Sequence, residues 1–316
     1  MRLMLIVNTR ASSVTPRARV VVQRALSGDH DVVCKETNRP GHAARLAQGA
    51  AADHFDAVIV LGGDGTLNEA VNGLAGSATA LGALPGGSTN VFARTVGTAS
   101  DPVEATDQLL AALAKGSVER VGLGQANGRY FLLHAGIGFD AAVVATVERR
   151  SALKRYTGPA AFVAAALSCW AGGYDRRHPA FSVLAGEASI VGAYFSICLN
   201  SDPYTFLGNR PLRVAPGTHL SRPLSLVTFD KLTLATLLPV LVAALGKGAK
   251  ANKRGHFTTV RDLKSAAVVG SRPVPYQLDG EYAGEAQRIE LSWSSEELLI
   301  VVPDTYSTFT DQPFPS

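Results

Sequence analysis

The sequence is poor in cysteine and lacks an apolar run long enough to cross a membrane. Its 316 residues include three cysteines. Cys34, Cys169 and Cys198 are too scattered to indicate a disulfide framework or a zinc-binding spacing. The longest apolar candidate, Leu232 to Gly246, contains Pro239 and is shorter than the roughly 20 residues of a spanning helix. We therefore expect a cytoplasmic protein without a transmembrane helix, and the first apolar run is too short for a secretory signal peptide.

Several common enzyme signatures are also missing. The histidines form no HExxH pair, which argues against a zinc protease. No Gly-Lys-Ser/Thr follows the first glycine-rich loop, so this loop is not a Walker A motif. The stretch "GIGFDAA" from Gly136 fits a dinucleotide fingerprint, but the segment after it is basic and no acidic residue stands about 20 positions later. A Rossmann dehydrogenase is therefore disfavoured.

The overall composition indicates a folded protein of about two domains. Hydrophobic residues make up 47% of the chain and charged residues 18%, which is too apolar for a disordered protein. A net charge of +4 does not by itself predict a nucleic-acid partner. Basic residues concentrate in "RRSALKRY" (149–156) and "GKGAKANKRGH" (246–256), each beside an apolar segment. This arrangement favours peripheral association with an anionic membrane surface.

The order of apolar runs predicts two different domains. Up to about residue 120, short apolar runs alternate with helical stretches, which is typical of βαβ units around a mostly parallel sheet. Residues 121–303 are mainly strand-like and predict a larger β-rich domain. It should contain a hairpin at Asn127-Gly128 and two helices, Gly158–Trp170 and Leu232–Lys247. Residues 304–316 are expected to form a C-terminal extension.

The main motif is "VIVLGGDGTLNEAVNGL", from Val58 to Leu74. An apolar strand runs into glycines and then into a helix, so the backbone there can reach positive φ and direct N–H groups at phosphate oxygens. The simpler alternative is a tight turn in which Thr66 and Glu69 form a capping box. A second glycine-rich turn, "ALPGGSTNVFART" (83–95), also follows an apolar run and precedes a predicted helix. The two turns together predict a nucleotide site.

These motifs resemble the diacylglycerol kinase catalytic-domain family, especially its bacterial lipid kinases, with sphingosine and ceramide kinases as relatives. The resemblance has four parts in order: "GGDGTLNEAVNGL", "LPGGSTNVFART", "GIGFDAAVV" (136–144) and "YQLDGE" (276–281). NAD kinases share only the GGDG loop. The resemblance implies an NAD kinase/diacylglycerol kinase-like fold with two domains, and an ATP-dependent lipid kinase that uses Mg²⁺.

The resemblance also implies roles for particular residues. The expected nucleotide-binding residues are Thr37, Gly62, Gly63, Asp64, Gly65, Thr66, Asn68 and Thr89. Asp64 would lie near the catalytic Mg²⁺. Glu281 matches the general base of the bacterial enzymes, Asp279 would orient that base or help to hold the metal, and Asp64 is the alternative base. A lipid hydroxyl needs such a positioned carboxylate, because it is a poor nucleophile near neutral pH.

The sequence departs from the family pattern in three places. The first strand runs into Asn8-Thr9 rather than an Asn-Pro turn. The second glycine turn reads Pro-Gly-Gly-Ser-Thr-Asn, with Gly87, where the family more usually has Leu-Gly-Thr-Ala-Asn. Ser221-Arg222 stands where the family commonly has an Asp-Gly-x-Leu segment that contributes to a structural magnesium site. Because a cation cannot ligate magnesium, we expect this second site to be absent and Arg222 to pair with carboxylates there.

Three functions remain open at this point. The leading one is phosphorylation of a lipid hydroxyl at a membrane surface, with diacylglycerol and a sphingoid base as candidate substrates. The second is an NAD kinase-like small-molecule kinase, which the two apolar helices argue against. The third is a nucleotide-binding regulator without turnover, suggested by Arg222. The oligomeric state is not decided, and a homodimer is left open.

Overall fold

The protein consists of two compact units. The computed structural model describes residues 1–149, 166–175, 178–246 and 257–306. The first unit comprises Met1–Leu123 together with the described chain from Ser295, and the second comprises Gly124–Ser294. Within the described residues, no helix combines the length and the apolar character needed to cross a membrane.

The first unit is an α/β layer structure with a parallel sheet. Its elements are β1 (Arg2–Val7), α1 (Pro16–Leu26), β2 (Asp31–Glu36), α2 (His42–Ala52), β3 (Ala57–Gly62), α3 (Asp64–Leu74), β4 (Ala80–Pro85), α4 (Val91–Thr95) and α5 (Pro102–Lys115). The strands lie in the order β2, β1, β3, β4, and neighbours are parallel. Every residue of β3 and β4 is buried, as expected for strands covered by helices on both faces.

Local signals explain where the helices begin and end. Thr15 accepts a hydrogen bond from Ala18 N at the start of α1, and Asp101 accepts two at the start of α5. Gly116 ends α5 with φ +66°, a left-handed conformation that glycine adopts without steric cost. Asp101 and Gly116 thus mark the two ends of this last helix.

The second unit is mainly antiparallel β structure. The elements are β5 (Val118–Ala126), β6 (Arg129–Phe131), β7 (His134–Gly138), α6 (Phe139–Arg149), β8 (Phe181–Ala185), β9 (Ala188–Ala193), β10 (Phe195–Leu199), β11 (Thr205–Leu207), β12 (Arg210–Leu212), β13 (Leu224–Phe229), α7 (Leu234–Leu245), β14 (Phe257–Leu263), β15 (Ser265–Leu278) and β16 (Glu281–Val301). Of these, β5 begins and β16 ends in the first unit. The strand order β14, β13, β10, β7, β15, β16 is antiparallel throughout. Asn127 and Gly128 both have positive φ between β5 and β6, which confirms the predicted hairpin turn.

The predicted fold class is confirmed, and three details require comment. The predicted helix 232–247 is α7, whereas the predicted helix Gly158–Trp170 lies mostly outside the described residues, and a π-helical turn occupies Cys169–Gly173. The prediction placed residues 295–303 in the second domain. In the structure they belong to the first unit, because the end of β16 pairs in parallel with β4 and Val301 packs in the first unit's core.

Candidate functional site

The carboxyl ends of four parallel strands meet at one edge of the first unit. One row near these ends is in register across the strands and consists of the exposed Glu36 and the buried Val7, Leu61 and Leu84. The chain leaves this row through Thr37, Asn8, Gly62 and Pro85. In open α/β sheets ligands bind outside the carboxyl ends of the strands. The register therefore brings the predicted nucleotide-binding segments to one edge.

Helix α3 starts at this edge without a side-chain cap. Gly63 is the N-cap residue in an extended conformation (φ −92°, ψ 178°), and its carbonyl accepts a hydrogen bond from Leu67 N at 3.1 Å, the first bond of the helix. A glycine provides no side-chain acceptor for the first-turn N–H groups of this 11-residue helix. The positive end of the helix dipole and these N–H groups favour an anion at this position.

The glycines of the two loops are needed for close packing rather than for a special backbone conformation. The predicted positive φ angles are wrong, because none of Gly62, Gly63, Gly65, Gly86 and Gly87 has one. A Cβ on Gly86 would lie 2.8 Å from Gly62 N, and a Cβ on Gly87 would lie 2.8 Å from Gly63 Cα. The loops after β3 and β4 therefore pack backbone against backbone, which no other residue type permits.

Asp64 connects these two loops. Its carboxylate oxygens accept hydrogen bonds from the backbone N–H groups of Val91 and Phe92, both at 2.9 Å. Asp64 thus caps α4, the short helix after the second glycine loop. A carboxylate is one of the oxygen ligands that Mg²⁺ prefers, so the chemistry of this side chain suits a Mg²⁺ that takes most of its other ligands from water and phosphate.

The capping box of the simpler alternative does not form. Helix α3 begins at Asp64, two residues before Thr66, so Thr66 lies within the first turn rather than at the N-cap. Glu69 instead accepts hydrogen bonds from Gly41 N at 2.7 Å and Ala43 N at 3.0 Å. It therefore caps the neighbouring helix α2, whose own N-cap residue is a glycine.

The other predicted nucleotide-binding residues differ in accessibility. Thr37 and Thr89 are half-buried, in the segments that follow β2 and β4. Thr66 is buried, and its hydroxyl accepts from Asn8 Nδ2 at 2.9 Å. Asn68 is fully buried in α3, which places its side chain beneath the loop rather than on its surface. The accessible side chains of the predicted set are thus Thr37, Asp64 and Thr89.

Sequence reasoning missed the residues that hold the second glycine loop. Ser13 donates from its backbone N–H to Gly86 O at 2.9 Å and from its hydroxyl to Gly87 O at 3.1 Å. Asn90 accepts from Gly87 N at 2.7 Å and donates to Gly87 O at 2.8 Å. The only sequence signal was Asn90, a residue type that tolerates the left-handed conformation it adopts here (φ 47°).

In the second unit, the "LDGE" motif forms the turn between β15 and β16. Asp279 (φ +50°) and Gly280 (φ +83°) are the two turn residues, as is typical of an Asp-Gly hairpin. The Asp279 carboxylate is buried and accepts backbone N–H groups from three successive residues at 2.7–2.9 Å, namely Leu132, Leu133 and His134. Asp279 therefore anchors the turn to the chain that enters β7.

Glu281 is in a different environment from its neighbour. Its side chain is 39% exposed, and Oε2 lies 3.2 Å from Nη2 of Arg129, whose side chain is 40% exposed. The β5–β6 hairpin brings Arg129 to this position, and no sequence signal had indicated it. Of the two carboxylates in the motif, Glu281 is the one that an approaching molecule can reach.

A cavity of about 420 Å³ lies beside the strand that begins at Glu281. Tyr282 and Glu285 line it from β16, and Arg149 lines it from the end of α6. Arg272 and Asp175 complete a charged wall. Alanines, prolines, Tyr174 and Val274 form the rest of the lining, so the cavity offers both a charged wall and an apolar wall.

The residues at the expected structural magnesium site do not fit a metal ion. Arg222 Nε lies 3.6 Å from Asp262 Oδ1, and the Ser221 hydroxyl is 2.8 Å from Nδ1 of His219. A guanidinium has no lone pair to offer a metal. Across the part of the chain that the structure describes, no group of three or more His, Cys, Asp or Glu side chains could hold a metal ion.

Two buried groups of the second unit have shifted pKa values. Burial lowers the pKa of His134 to about 4, and the nearby Asp140 charge only partly opposes this. Burial raises the pKa of Asp202 to about 6, although its ion pair with Arg213 works in the opposite direction. Both groups therefore link the folding of this unit to pH.

Comparisons with known proteins agree with the motifs. The sequence model of the diacylglycerol kinase catalytic domain matches residues 2–126. A diacylglycerol kinase of Bacillus subtilis is 38% identical over 121 residues, 37% of this chain and 39% of that protein. One of Staphylococcus saprophyticus is 28% identical over 79% of this chain and 78% of its own length. A probable lipid kinase YegS-like protein of Chromohalobacter salexigens is 35% identical over half of each chain.

Most of these alignments span less than two thirds of the curated relative, 39% and 50% in the first and third cases. Two solved structures share the fold along the whole chain. A diacylglycerol kinase from Bacillus anthracis has a TM-score of 0.72 at 20% identity, covering 97% of this chain and 98% of the other. An NAD kinase from Archaeoglobus fulgidus in complex with ATP has a TM-score of 0.54 at 12% identity, covering 96% and 94%. At such identities the structural likeness shows the fold alone.

Proposed function

We propose that this chain, whose residues 2–126 belong to the diacylglycerol kinase catalytic-domain family, is an ATP-dependent kinase that phosphorylates the hydroxyl group of a lipid. The observation that carries the proposal is the strand-end edge of the first unit, where two glycine loops pack together beside the uncapped start of α3. A site of this kind suits phosphate groups. The relatives named diacylglycerol kinase and lipid kinase direct the choice of acceptor to a lipid alcohol.

The ATP phosphates would bind the first-turn N–H groups of α3 and the adjoining loop. Thr37 and Thr89, which are accessible in the flanking segments, would contact the nucleotide. Asp64, whose carboxylate is held at the start of α4 by two backbone N–H groups, would help to hold Mg²⁺ as an oxygen ligand. When bound, Mg²⁺ neutralises charge that develops on the transferring phosphoryl group.

Glu281 is proposed as the general base. A base must come within hydrogen-bond reach of the lipid hydroxyl, and the Glu281 carboxylate is accessible. Asp279 is buried and accepts three backbone N–H groups, which favours a structural role in the same turn. The charged wall of the cavity beside Tyr282 would receive the polar headgroup of the lipid. Diacylglycerol and a sphingoid base both remain candidate substrates.

Helix α7 supports access to lipid at a membrane surface. Leu234, Leu238, Leu241 and Val242 are 50%, 60%, 42% and 63% exposed, and their spacing places them on one side of the helix. The sequence 247–254 that follows contains four basic residues. An exposed apolar face next to positive charge suits an anionic bilayer. We therefore propose peripheral binding of α7 to anionic membranes.

Vesicle flotation tests this membrane contact. A Leu238→Ser, Val242→Ser double variant should lose most of its binding to phosphatidylglycerol vesicles, because two exposed apolar side chains no longer enter the interface. Val191→Ser is the matched control, since Val191 is 77% exposed on β9. Equal flotation of the double variant and the control would assign the membrane contact to another surface.

The activity itself is tested by transfer of labelled phosphate from ATP to diacylglycerol, to a sphingoid base and to a total lipid extract. Glu281→Gln should lower turnover by roughly 10² to 10⁴ with ATP affinity little changed. Asp64→Asn should weaken ATP binding as well, because it also loosens the second glycine loop. Glu187→Gln, in the exposed β8–β9 turn, is the matched control.

Each alternative predicts a distinct result. If Glu281→Gln keeps most of its turnover while Asp64→Asn loses turnover alone, the base is Asp64. Phosphorylation of NAD in place of lipid would support the NAD kinase-like reading, which the shared fold keeps as the second candidate. ATP binding without transfer to any acceptor would identify a nucleotide-binding regulator.

A further inference from the structure

The turn that carries Glu281 is held by a buried hydrogen-bond chain. The backbone N–H of Gly280 donates to Oε1 of Gln277 at 2.7 Å, and Nε2 of Gln277 donates to Oδ2 of Asp140 at 2.8 Å. The two bonds fix the orientation of the Gln277 amide, since its oxygen must accept and its nitrogen must donate. Gln277 is fully buried. The chain therefore connects the turn directly to the first turn of α6.

The same helix also holds the residue on the other side of Glu281. The backbone N–H of Tyr282 donates to Oε1 of Glu148 at 3.1 Å. Glu148 lies in the last turn of α6, whereas Asp140 lies in its first turn. The backbone N–H groups of Gly280 and Tyr282, the residues before and after Glu281, are thus linked to opposite ends of one helix.

The "GIGFD" motif makes this arrangement sterically feasible. A Cβ on Gly136 would lie 1.6 Å from Oδ2 of Asp140 and 2.5 Å from Nε2 of Gln277. Any side chain at position 136 would therefore break the bond between them. Tyr204 donates from its hydroxyl to the other oxygen of Asp140 at 2.7 Å. The absence of a side chain at Gly136 thus leaves space for the Asp140 carboxylate, whose two oxygens accept hydrogen bonds from Gln277 and Tyr204. The motif has this structural role here and does not form a dinucleotide-binding turn.

We propose that Asp140, Gln277 and Glu148 are positioning residues that fix the direction of the Glu281 carboxylate, an inference that rests on the proposed role of Glu281 as general base. Glu281 also forms an ion pair with Arg129, and both side chains are about 40% exposed. Ion pairs that solvent reaches to this extent constrain a side chain only weakly. The hydrogen bonds to Glu148 and, through Gln277, to Asp140 hold the backbone N–H of the residue on either side of Glu281. A base displaced by about 1 Å can lose about 10²-fold in rate.

Two variants break the two ties separately. Gly136→Ala displaces Asp140 from Gln277. Glu148→Ala removes the acceptor for Tyr282 N. Because Glu148 is only half-buried, we expect the second variant to keep its fold more readily than the first. Each should lower kcat by about 10- to 100-fold and leave the KM for ATP within about 3-fold. Glu148→Gln keeps an acceptor oxygen and should recover most of the turnover. Gly49→Ala is the matched glycine control, because a Cβ there meets nothing within 4 Å.

Combination with Glu281→Gln separates positioning from simple loss of structure. If Glu148 acts through Glu281, then Glu148→Ala should cause no further loss of kcat in the Glu281→Gln background, whereas independent effects would multiply. Urea unfolding of each variant verifies the fold. Multiplicative losses, or wild-type kcat in folded Gly136→Ala and Glu148→Ala, would overturn the proposal while leaving Glu281 as the base. Full turnover of Glu281→Gln itself would instead remove the base assignment, and the positioning role with it.

Discussion

The replacement Asp279→Asn tests whether this aspartate serves the fold or the chemistry. Its carboxylate accepts backbone N–H groups from Leu132, Leu133 and His134. An asparagine oxygen can still serve Leu133 and His134, which share Oδ1, but its NH₂ group then faces the N–H of Leu132. One buried donor is left without an acceptor, at a cost of about 1–3 kcal/mol, and two remaining bonds each lose about 1 kcal/mol of charge assistance. We expect the free energy of unfolding of the second unit to fall by about 3–5 kcal/mol.

Urea unfolding followed by tryptophan fluorescence measures this change. The chain has two tryptophans, Trp170 and Trp293, and both belong to the second unit. Glu281→Gln is the internal comparison, and its half-exposed ion pair should contribute less than about 1 kcal/mol. If Asp279→Asn unfolds within about 1 kcal/mol of wild type and yet loses its turnover, the structural role assigned to Asp279 is incorrect and a direct role in the reaction takes its place.

Three further predictions concern nucleotide binding, pH and magnesium. Gly63→Val should abolish ATP binding in calorimetry, because even its Cβ would lie 3.3 Å from Gly87 Cα; a wild-type Kd would contradict the loop assignment. The pKa of His134 is about 4 in the folded protein and about 6.5 in an unfolded chain, so stability should fall by about 3 kcal/mol as the pH drops from about 6.5 to about 4. Asp202, with its pKa raised to about 6, offsets part of this loss below pH 6, so the difference between wild type and His134→Gln isolates the histidine. Without nucleotide, the thermal unfolding of the second unit should be the same in Mg²⁺ and in EDTA, since Arg222 pairs with a carboxylate where a metal ligand was expected; a large Mg²⁺-dependent rise in Tm would show a metal site.

Several features could be predicted from the sequence because their causes are local. The alternation of apolar strands and helices in the first 120 residues indicated a parallel α/β sheet, and the structure has one. Asn127-Gly128 specified a hairpin because both residues tolerate positive φ. Asp101 and Gly116 specified the ends of α5 through bonds to residues a few positions away. Each signal involves only a short window of the chain.

The sequence predicted which residues belong to the candidate site. The hydrogen bonds that each of them forms, however, depend on partners that are distant in the sequence. Glu69 was expected to cap its own helix, and it caps α2 through residues 26 and 28 positions earlier. Asp279 contacts residues that lie 145 to 147 positions before it. No local pattern encodes such separations, because they arise only when helices and strands pack.

The glycines show the same division between local pattern and tertiary structure. The sequence determined that Gly62, Gly63, Gly86 and Gly87 precede helices at the ends of apolar strands, and therefore that two bare loops exist. Only the register of β3 with β4 decided that these loops lie against each other. Gly136 likewise looked like part of a phosphate-binding turn, until the fold brought Asp140 and Gln277 into the space where its Cβ would be. A sequence shows where a glycine leaves out a side chain. Which atoms lie in the space where its Cβ would be is decided by packing between distant parts of the chain.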